Sequence, residues 1–377
     1  MKLSLVAVAC LALGAWCGDA CAQGSFVEGD VYLVSAALED PGGGTMPGVM
    51  HIDPATWVGT VVPFPAVPGF SGRSAYDPFR DRLVLMQGGV LLMAPDGSTT
   101  TLPTGFTNPA IAAPTGDGRI YFIHNAWLFS HVDAAGATHQ LLDVGGAAQL
   151  QWSNIRAMTW DPGTNALFIT DPLSNAGRLT LTRLTLSPDG SQVQSIDSVT
   201  LEVSTSGEIG VGFSRGPGSS LFLAIDTNSN ATEARLVLID PTTLGITTFA
   251  SPGYFGAGGE IAGAYVPSVS RAVVVDSLSD QLRSFAQGSS GEGVILPTAG
   301  VSGGGSGEQA QLVVIARACP GGADLSVPFG VLDFNDVIAF LTAFGSMDPA
   351  ADLALPSGVF DFNDVIAFLT AFGAGCP

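Results

Sequence analysis

Ala75–Leu102 reads AYDPFRDRLVLMQGGVLLMAPDGSTTTL, and its layout recurs along the chain. A strand of small residues comes first and ends at Asp77-Pro78. A polar turn follows, then the wholly apolar run Leu83–Met86. A two-glycine turn, a second apolar run at Val90–Met93, an Asp-Gly turn and a threonine-rich strand complete the unit. Asp, Pro and Gly supply the φ values and side-chain acceptors that tight turns need, so they mark where each strand stops. The same order appears in residues 112–142, 158–190, 212–249 and 264–296. The five units start 37 to 54 residues apart.

That spacing predicts an all-β, six-bladed β-propeller over residues 23–318. The alternatives on pattern alone are a β-sandwich pair or a ring of five or seven blades. The sixth unit begins at VYLVSA (31–36), runs through VMHIDPATWVGTVVPF (49–64), and lacks a first strand. QLVVIAR (311–317), at the far end of the body, is expected to supply it and so close the ring, which removes an exposed sheet edge. SGGGSGEQ (302–309) is expected to be a flexible insertion before that strand, with the domain boundary near Ala318. In this grammar the units resemble secreted quinoprotein-, NHL- or YWTD-like propellers, a resemblance that implies no activity.

Composition narrows the function classes. The chain has 377 residues, a net charge of −20, 46% hydrophobic and 12% charged residues. Its one lysine is Lys2 and its arginines are scattered singly, which disfavours nucleic acid and anionic membranes as partners. Residues 1–22 have the order of a secretory signal peptide: Lys2, an apolar stretch, and Ala20-Cys21-Ala22 as cleavage site. No later stretch is apolar enough to span a bilayer. The expected product is secreted, either extracellular or associated with the cell surface. It retains two cysteines, Cys319 and Cys376, expected to form a disulfide in an oxidising compartment. A loop of that length would stabilise the tail by about 4 kcal/mol in the chain-entropy model.

Residues 319–377 hold one segment written twice. ADLSVPFGVLDFNDVIAFLTAFG (323–345) and ADLALPSGVFDFNDVIAFLTAFG (351–373) lie 28 residues apart and match at 19 of 23 positions. Each predicts a turn followed by one amphipathic helix, giving a small all-α domain. Asp333 suits an N-cap, Asp336 the positive helix end, Gly330 a turn and Gly345 a C-cap. Val337, Phe340, Leu341 and Phe344 fall on one helical face, expected to be buried. Phe334 and Ile338 lie off it.

The tandem copies, the glycine followed by D-x-x-D, and the terminal AGCP resemble the dockerin module, most closely the type ending in Gly-Cys at the C-termini of secreted bacterial proteins. The resemblance covers about 59 residues, 319–377. It implies paired half-EF-hands binding Ca2+, weakly, through Asp324, Asp333 and Asp336 and through Asp352, Asp361 and Asp364. It also implies that Phe334, Asn335, Phe362 and Asn363 face a cohesin-like or cell-surface protein. The copies depart from the family loop: each is one residue longer, with Pro328 or Pro356 where an oxygen ligand is expected. In the first copy, capped helices without metal account for Asp333 and Asp336 but leave Asp324 unexplained.

Other motifs carry less. Gly212-Phe-Ser-Arg-Gly216 matches G-x-S-x-G, but a nucleophile elbow needs a following helix and PGSSLFLAID predicts a turn and strand. Asp226-Thr-Asn-Ser-Asn230 suits a polar hairpin loop. His51, His124, His131 and His139 show no metal spacing and are read as polar strand residues. Trp57, Trp127, Trp152 and Trp160 are read as blade packing. The sequence favours a non-catalytic binding propeller held by its tail. The alternative is a glycan-degrading hydrolase or lyase carried by the same tail, since propeller active sites draw residues from several blades.

Overall fold

The computed structural model describes residue 26 and residues 29–374, apart from 40–44, 63–69, 88, 104–110, 125–126, 153–154, 174–177, 203–208, 218–219, 228–234, 253–261, 277–280, 292, 298–309, 316–322, 324, 327–331, 333, 349–350, 352 and 355–358. The signal segment, Cys319, Cys376, Asp324, Asp333, Asp352, Asn228–Asn230 and the glycine-rich 302–309 stretch therefore lie outside the described residues.

The body is a six-bladed β-propeller. Blade one opens with β1 (Val31–Glu39), β2 (Thr45–Ile52) and β3 (Gly59–Val62). Blade two is β4 (Phe70–Asp77), β5 (Arg82–Gln87), β6 (Val90–Met93) and β7 (Thr99–Leu102). Blade three is β8 (Ile111–Pro114), β9 (Ile120–His124), β10 (Leu128–Val132) and β11 (Thr138–Gln140). Blade four is β12 (Ala157–Asp161), β13 (Ala166–Leu173), β14 (Arg178–Leu186) and β15 (Val193–Glu202). Blade five is β16 (Ile209–Arg215), β17 (Leu221–Thr227), β18 (Arg235–Ile239) and β19 (Ile246–Pro252). Blade six is β20 (Ala262–Val266), β21 (Arg271–Asp276), β22 (Gln281–Ala286) and β24 (Val294–Ile295). The two-residue β23 (Ser290–Gly291) leaves blade six to pair in parallel with β19.

The closing strand is β25 (Ala310–Val314), as the QLVVIAR segment predicts. It pairs antiparallel with β1 through Val31↔Val314, Leu33↔Leu312 and Ser35↔Ala310. Gly29 N–H donates to the Ile315 carbonyl and Ile315 N–H to that of Asp30, each at 2.9 Å, continuing the ladder. The innermost strands then neighbour one another in the cyclic order β4, β8, β12, β16, β20, β25 and back to β4.

Each blade's second strand is buried on both sheet faces, so it appears as a continuous apolar run rather than an alternating one. In β5, Leu83 and Leu85 join the core between blades one and two, while Val84 and Met86 join that between two and three. In β9, Phe122 faces blade two and Tyr121 and Ile123 face blade four. Six such apolar layers fill the ring. Trp57, Trp152 and Trp160 pack against them, as expected; Trp127 is the exception, 37% exposed.

The tail contains α1 (Phe334–Ser346) and α2 (Phe362–Ala374). Phe340 and Phe368, each about 1% exposed, stack at 4.1 Å between ring centroids with an 11° tilt. Ala323, Ala351, Val337, Val365, Phe344 and Phe372 complete a core in which every residue has its twin. A buried phenylalanine contributes about 2–3 kcal/mol, so this repeated pair dominates the small domain.

Two local expectations are corrected. Leu341 is 57% exposed rather than in the core; Ala343 packs against the core instead. Gly345 does not cap α1, which continues to Ser346. Met347 takes the left-handed position with φ 55°. Its N–H donates to the Phe344 carbonyl at 3.2 Å and that of Asp348 to Ala343 at 2.8 Å, the paired bonds of a Schellman end.

Candidate functional site: the outer face of the tail and the propeller's polar clusters

The helices of the tail present apolar side chains on the side away from their core. Phe334 (73% exposed), Ile338 and Leu341 follow an i, i+4, i+7 line on α1, and Phe362, Ile366 and Leu369 repeat it on α2. Asn335 and Asn363 are exposed beside them. The four residues expected to face a partner are thus at the surface. Leu341 and Leu369 extend the ridge, and the 3–4 residue spacing from Phe334 was the signal for them.

Of the six aspartates expected to hold calcium, three are described. Asp336 and Asp364 are fully buried. Asp336 Oδ1 accepts the N–H groups of Leu325 at 2.8 Å and Ser326 at 2.7 Å. Asp364 Oδ1 accepts those of Leu353 at 2.9 Å and Ala354 at 2.8 Å, and its Oδ2 accepts that of Asp361 at 2.9 Å. The Asp361 N–H, then those of Ala354 and Leu353, hold the Asp364 carboxyl below the usual aspartate range despite its burial. Asp361 is the N-cap of α2: its Oδ1 accepts Asn363 N–H at 2.7 Å and its Oδ2 the Asn363 amide at 3.0 Å. Calcium requires six to eight oxygen ligands. These carboxylates already face backbone donors, and as arranged they do not fit that role. Among the described residues no group of three or more His, Cys, Asp or Glu side chains is gathered to hold a metal ion.

In the propeller, much of the acidic charge is turn chemistry. On one face, where first and second strands and third and fourth strands are joined, aspartates accept backbone or hydroxyl donors two or three residues on. Asp53 takes Ala55 N–H and Thr56 Oγ1, Asp161 takes Thr164 N–H, and Asp240 takes Thr242 and Thr243 N–H. Asp189 accepts from Ser187 and Ser191, which depress its pKa to about 2. Asp77 is buried and paired with Arg80 at 2.8 Å. These groups stabilise turns locally, so the net charge does not by itself mark a cation-binding face.

The opposite end of blades three and four carries a polar cluster that the sequence did not single out. His124 Nε2 lies 2.9 Å from Ser130 Oγ, and Gln149 Nε2 donates to Ser130 Oγ and the Phe129 carbonyl. Trp152 Nε1 donates to Asp171 Oδ2 at 3.2 Å, while its N–H reaches the Trp127 carbonyl. Burial pushes the Asp171 carboxyl up. At the turn face of blade three instead, cross-strand pairing brings His131 and His139 together, their rings stacked at 5.1 Å and His139 beside Asp133. Burial, then His139, pulls His131 down to about 4, so it is neutral near pH 7.

The G-x-S-x-G match is a strand. Gly212 and Ser214 lie in β16, and the next element among the described residues is the strand β17. Ser214 Oγ accepts Tyr265 N–H and donates to the Arg215 carbonyl, each at 3.0 Å. Gly212 is required because β20 passes against it: a Cβ there would sit 2.2 Å from Gly263 N.

No protein-family model and no curated relative matches the chain. Among solved structures it is similar to the periplasmic gluconolactonase PpgL of Pseudomonas aeruginosa, with 13% identity, TM-score 0.45, and coverage of 74% of this chain and 98% of that one. It is also similar to a putative 6-phosphogluconolactonase from Bacteroides fragilis, with 11% identity, TM-score 0.44, and coverage of 70% and 92%. An auxiliary nutrient binding protein from Bacteroides ovatus shows 11% identity, TM-score 0.41, and coverage of 64% and 67%. No activity transfers at this distance. Among the described residues no helix is long and apolar enough to cross a membrane.

Proposed function

We propose that the chain is an exported, propeller-type binding protein held at the cell surface, or in an extracellular complex, by its helical tail. The observation that carries this reading is the duplicated outer ridge, Phe334-Ile338-Leu341 and Phe362-Ile366-Leu369. Contiguous exposed apolar side chains of this size mark interaction sites. Residues 319–377 contain aspartates but no lysine or arginine. The complementary partner therefore has apolar pockets with a cationic rim, and the dockerin-like pattern supports a cohesin-like or cell-surface protein. A second reading, a glycan-degrading enzyme on the same tail, draws on Asp171, a carboxyl raised by burial beside an indole.

The test is Phe334→Glu combined with Phe362→Glu in the full chain, followed by fractionation of cells and medium. Both side chains are more than 70% exposed, so folding should change by only about 0.5 kcal/mol per site. Release of a folded protein into the medium is expected. Unchanged retention would remove the docking reading.

A further inference from the structure

We infer that both loops of the tail are closed by buried carboxylates acting directly on the backbone, and hold their shape without calcium. The resemblance to dockerins predicts the opposite, and the geometry of Asp336 and Asp364 decides between them. Each side chain comes from the first turn of its helix and reaches back to two consecutive N–H groups ten and eleven residues earlier. One carboxylate oxygen offers about two lone-pair sites. Two N–H donors at 2.7 to 2.9 Å fill them. Their positive ends also point where a bound cation would sit, so donors and ion repel one another.

The remaining atoms follow the same logic. Asp364 Oδ2 accepts Asp361 N–H, and both Asp361 oxygens cap the start of α2. In copy two, the described carboxylates are therefore occupied by donors of the chain itself. Pro328 and Pro356 replace a family ligand position and bring no side-chain oxygen. The clamp has a mechanical role, because Ala323 and Ala351, two residues before the first clamped N–H of each copy, are buried in the tail core. Each carboxylate thus pins a loop whose start is already packed. A charged acceptor of two backbone donors makes strong hydrogen bonds, which does the loop-closing work that a metal does in an EF-hand.

Docking and metal independence are separable, since a clamped tail could bind a partner or none. Hydrogen–deuterium exchange of the full chain tests the clamp without any partner. Peptides covering 323–346 and 351–374 are followed in EDTA and in about 10 mM calcium, well above the affinities of extracellular calcium modules. Protection of both loops within about twofold in the two conditions is expected. Asp364→Ala should raise exchange in residues 353–354 by about tenfold or more while copy one, the internal control, is less affected. Asp364→Asn should fall between, because its amide oxygen still accepts a hydrogen bond. Loss of protection in EDTA, or calcium-dependent protection of the wild type, would overturn the inference. So would an alanine variant that exchanges like the wild type.

Discussion

Gly212→Ala tests the propeller at its tightest point. Gly212 on β16 faces Gly263 on β20, the innermost strands of blades five and six. An added Cβ would lie 2.2 Å from Gly263 N, 2.7 Å from its O and 2.9 Å from its Cα. Carbon needs about 3.5 Å from such atoms, so the shortfall is about 1 Å. All three obstacles are backbone, which cannot rotate aside as a side chain can. Overpacking a core by a methyl group costs about 1–3 kcal/mol, and a backbone obstacle places this site at the upper end, about 3 kcal/mol. With a urea slope of about 3 kcal/mol/M for a large domain, the midpoint should fall by about 1 M. Gly116→Ala is the control. Nothing lies within 4 Å of its added Cβ and its φ is not in the left-handed region, so the change should be neutral or slightly stabilising. Equal midpoints for the two variants would refute the close approach of blades five and six. Selective loss of a hydrolytic activity with unchanged stability would instead return Ser214 to consideration as a nucleophile.

Met347→Gly should stabilise the end of α1 by about 1 kcal/mol, because an L-residue at φ 55° carries a strain that glycine lacks; the side chain is 71% exposed, so little packing is lost, and slower amide exchange near residue 348 checks it. Acid should destabilise the propeller. Serine donors lower the Asp189 pKa to about 2, the Ala55 N–H that of Asp53, Ser98 that of Asp96, and the Thr243 N–H that of Asp240. Folded-state values below the ordinary aspartate value of about 3.9 mean that these carboxylates confer stability above that pH and lose it as pH falls through the folded values. Urea midpoints should therefore drop between about pH 4 and pH 2, less steeply in Asp189→Ala; a flat profile would contradict the turn role. Asp77, raised by burial, opposes the trend at the upper end of this window, because its protonation as pH falls favours the folded state.

The propeller was legible because its second strands are buried on both faces. RLVLMQ, RIYFIH and ALFIT are continuous apolar runs, and Asp-led turns separate them at blade spacing. Closure by β25 was legible for a related reason: a unit missing its first strand and a strand missing its unit stood at opposite ends of one body. What pairing creates was not visible. His131 and His139 are eight apart in sequence and meet only because a hairpin sets them opposite one another. Asp171 and Trp152 are nineteen apart and meet across a blade boundary. The spacing of G-x-S-x-G was visible and misleading, since its glycine answers to another strand and not to a catalytic turn.

The tail shows where periodicity itself stops. Phe334–Ser346 is FNDVIAFLTAFGS, and large apolar residues occupy more than one of its faces. Helical spacing identifies Val337, Phe340, Leu341 and Phe344 as one stripe and Phe334, Ile338 and Leu341 as another, with Leu341 belonging to both. No propensity chooses between them. The choice comes from the twin helix: Phe340 stacks on Phe368 and Phe344 edges onto Phe360, which fixes the inner stripe and turns Leu341 outward. Duplication does the same to Asp336 and Asp364, whose equal bonds in both copies identify a repeated loop clamp. Because the clamp and the stacked rings use the inward atoms of each repeat, the large apolar residues left outside are the same three in each helix. The outer ridge is therefore a consequence of symmetric packing as much as of composition. A partner that reads it meets two equivalent halves, so substituting Phe334 alone should weaken retention less than substituting Phe334 and Phe362 together.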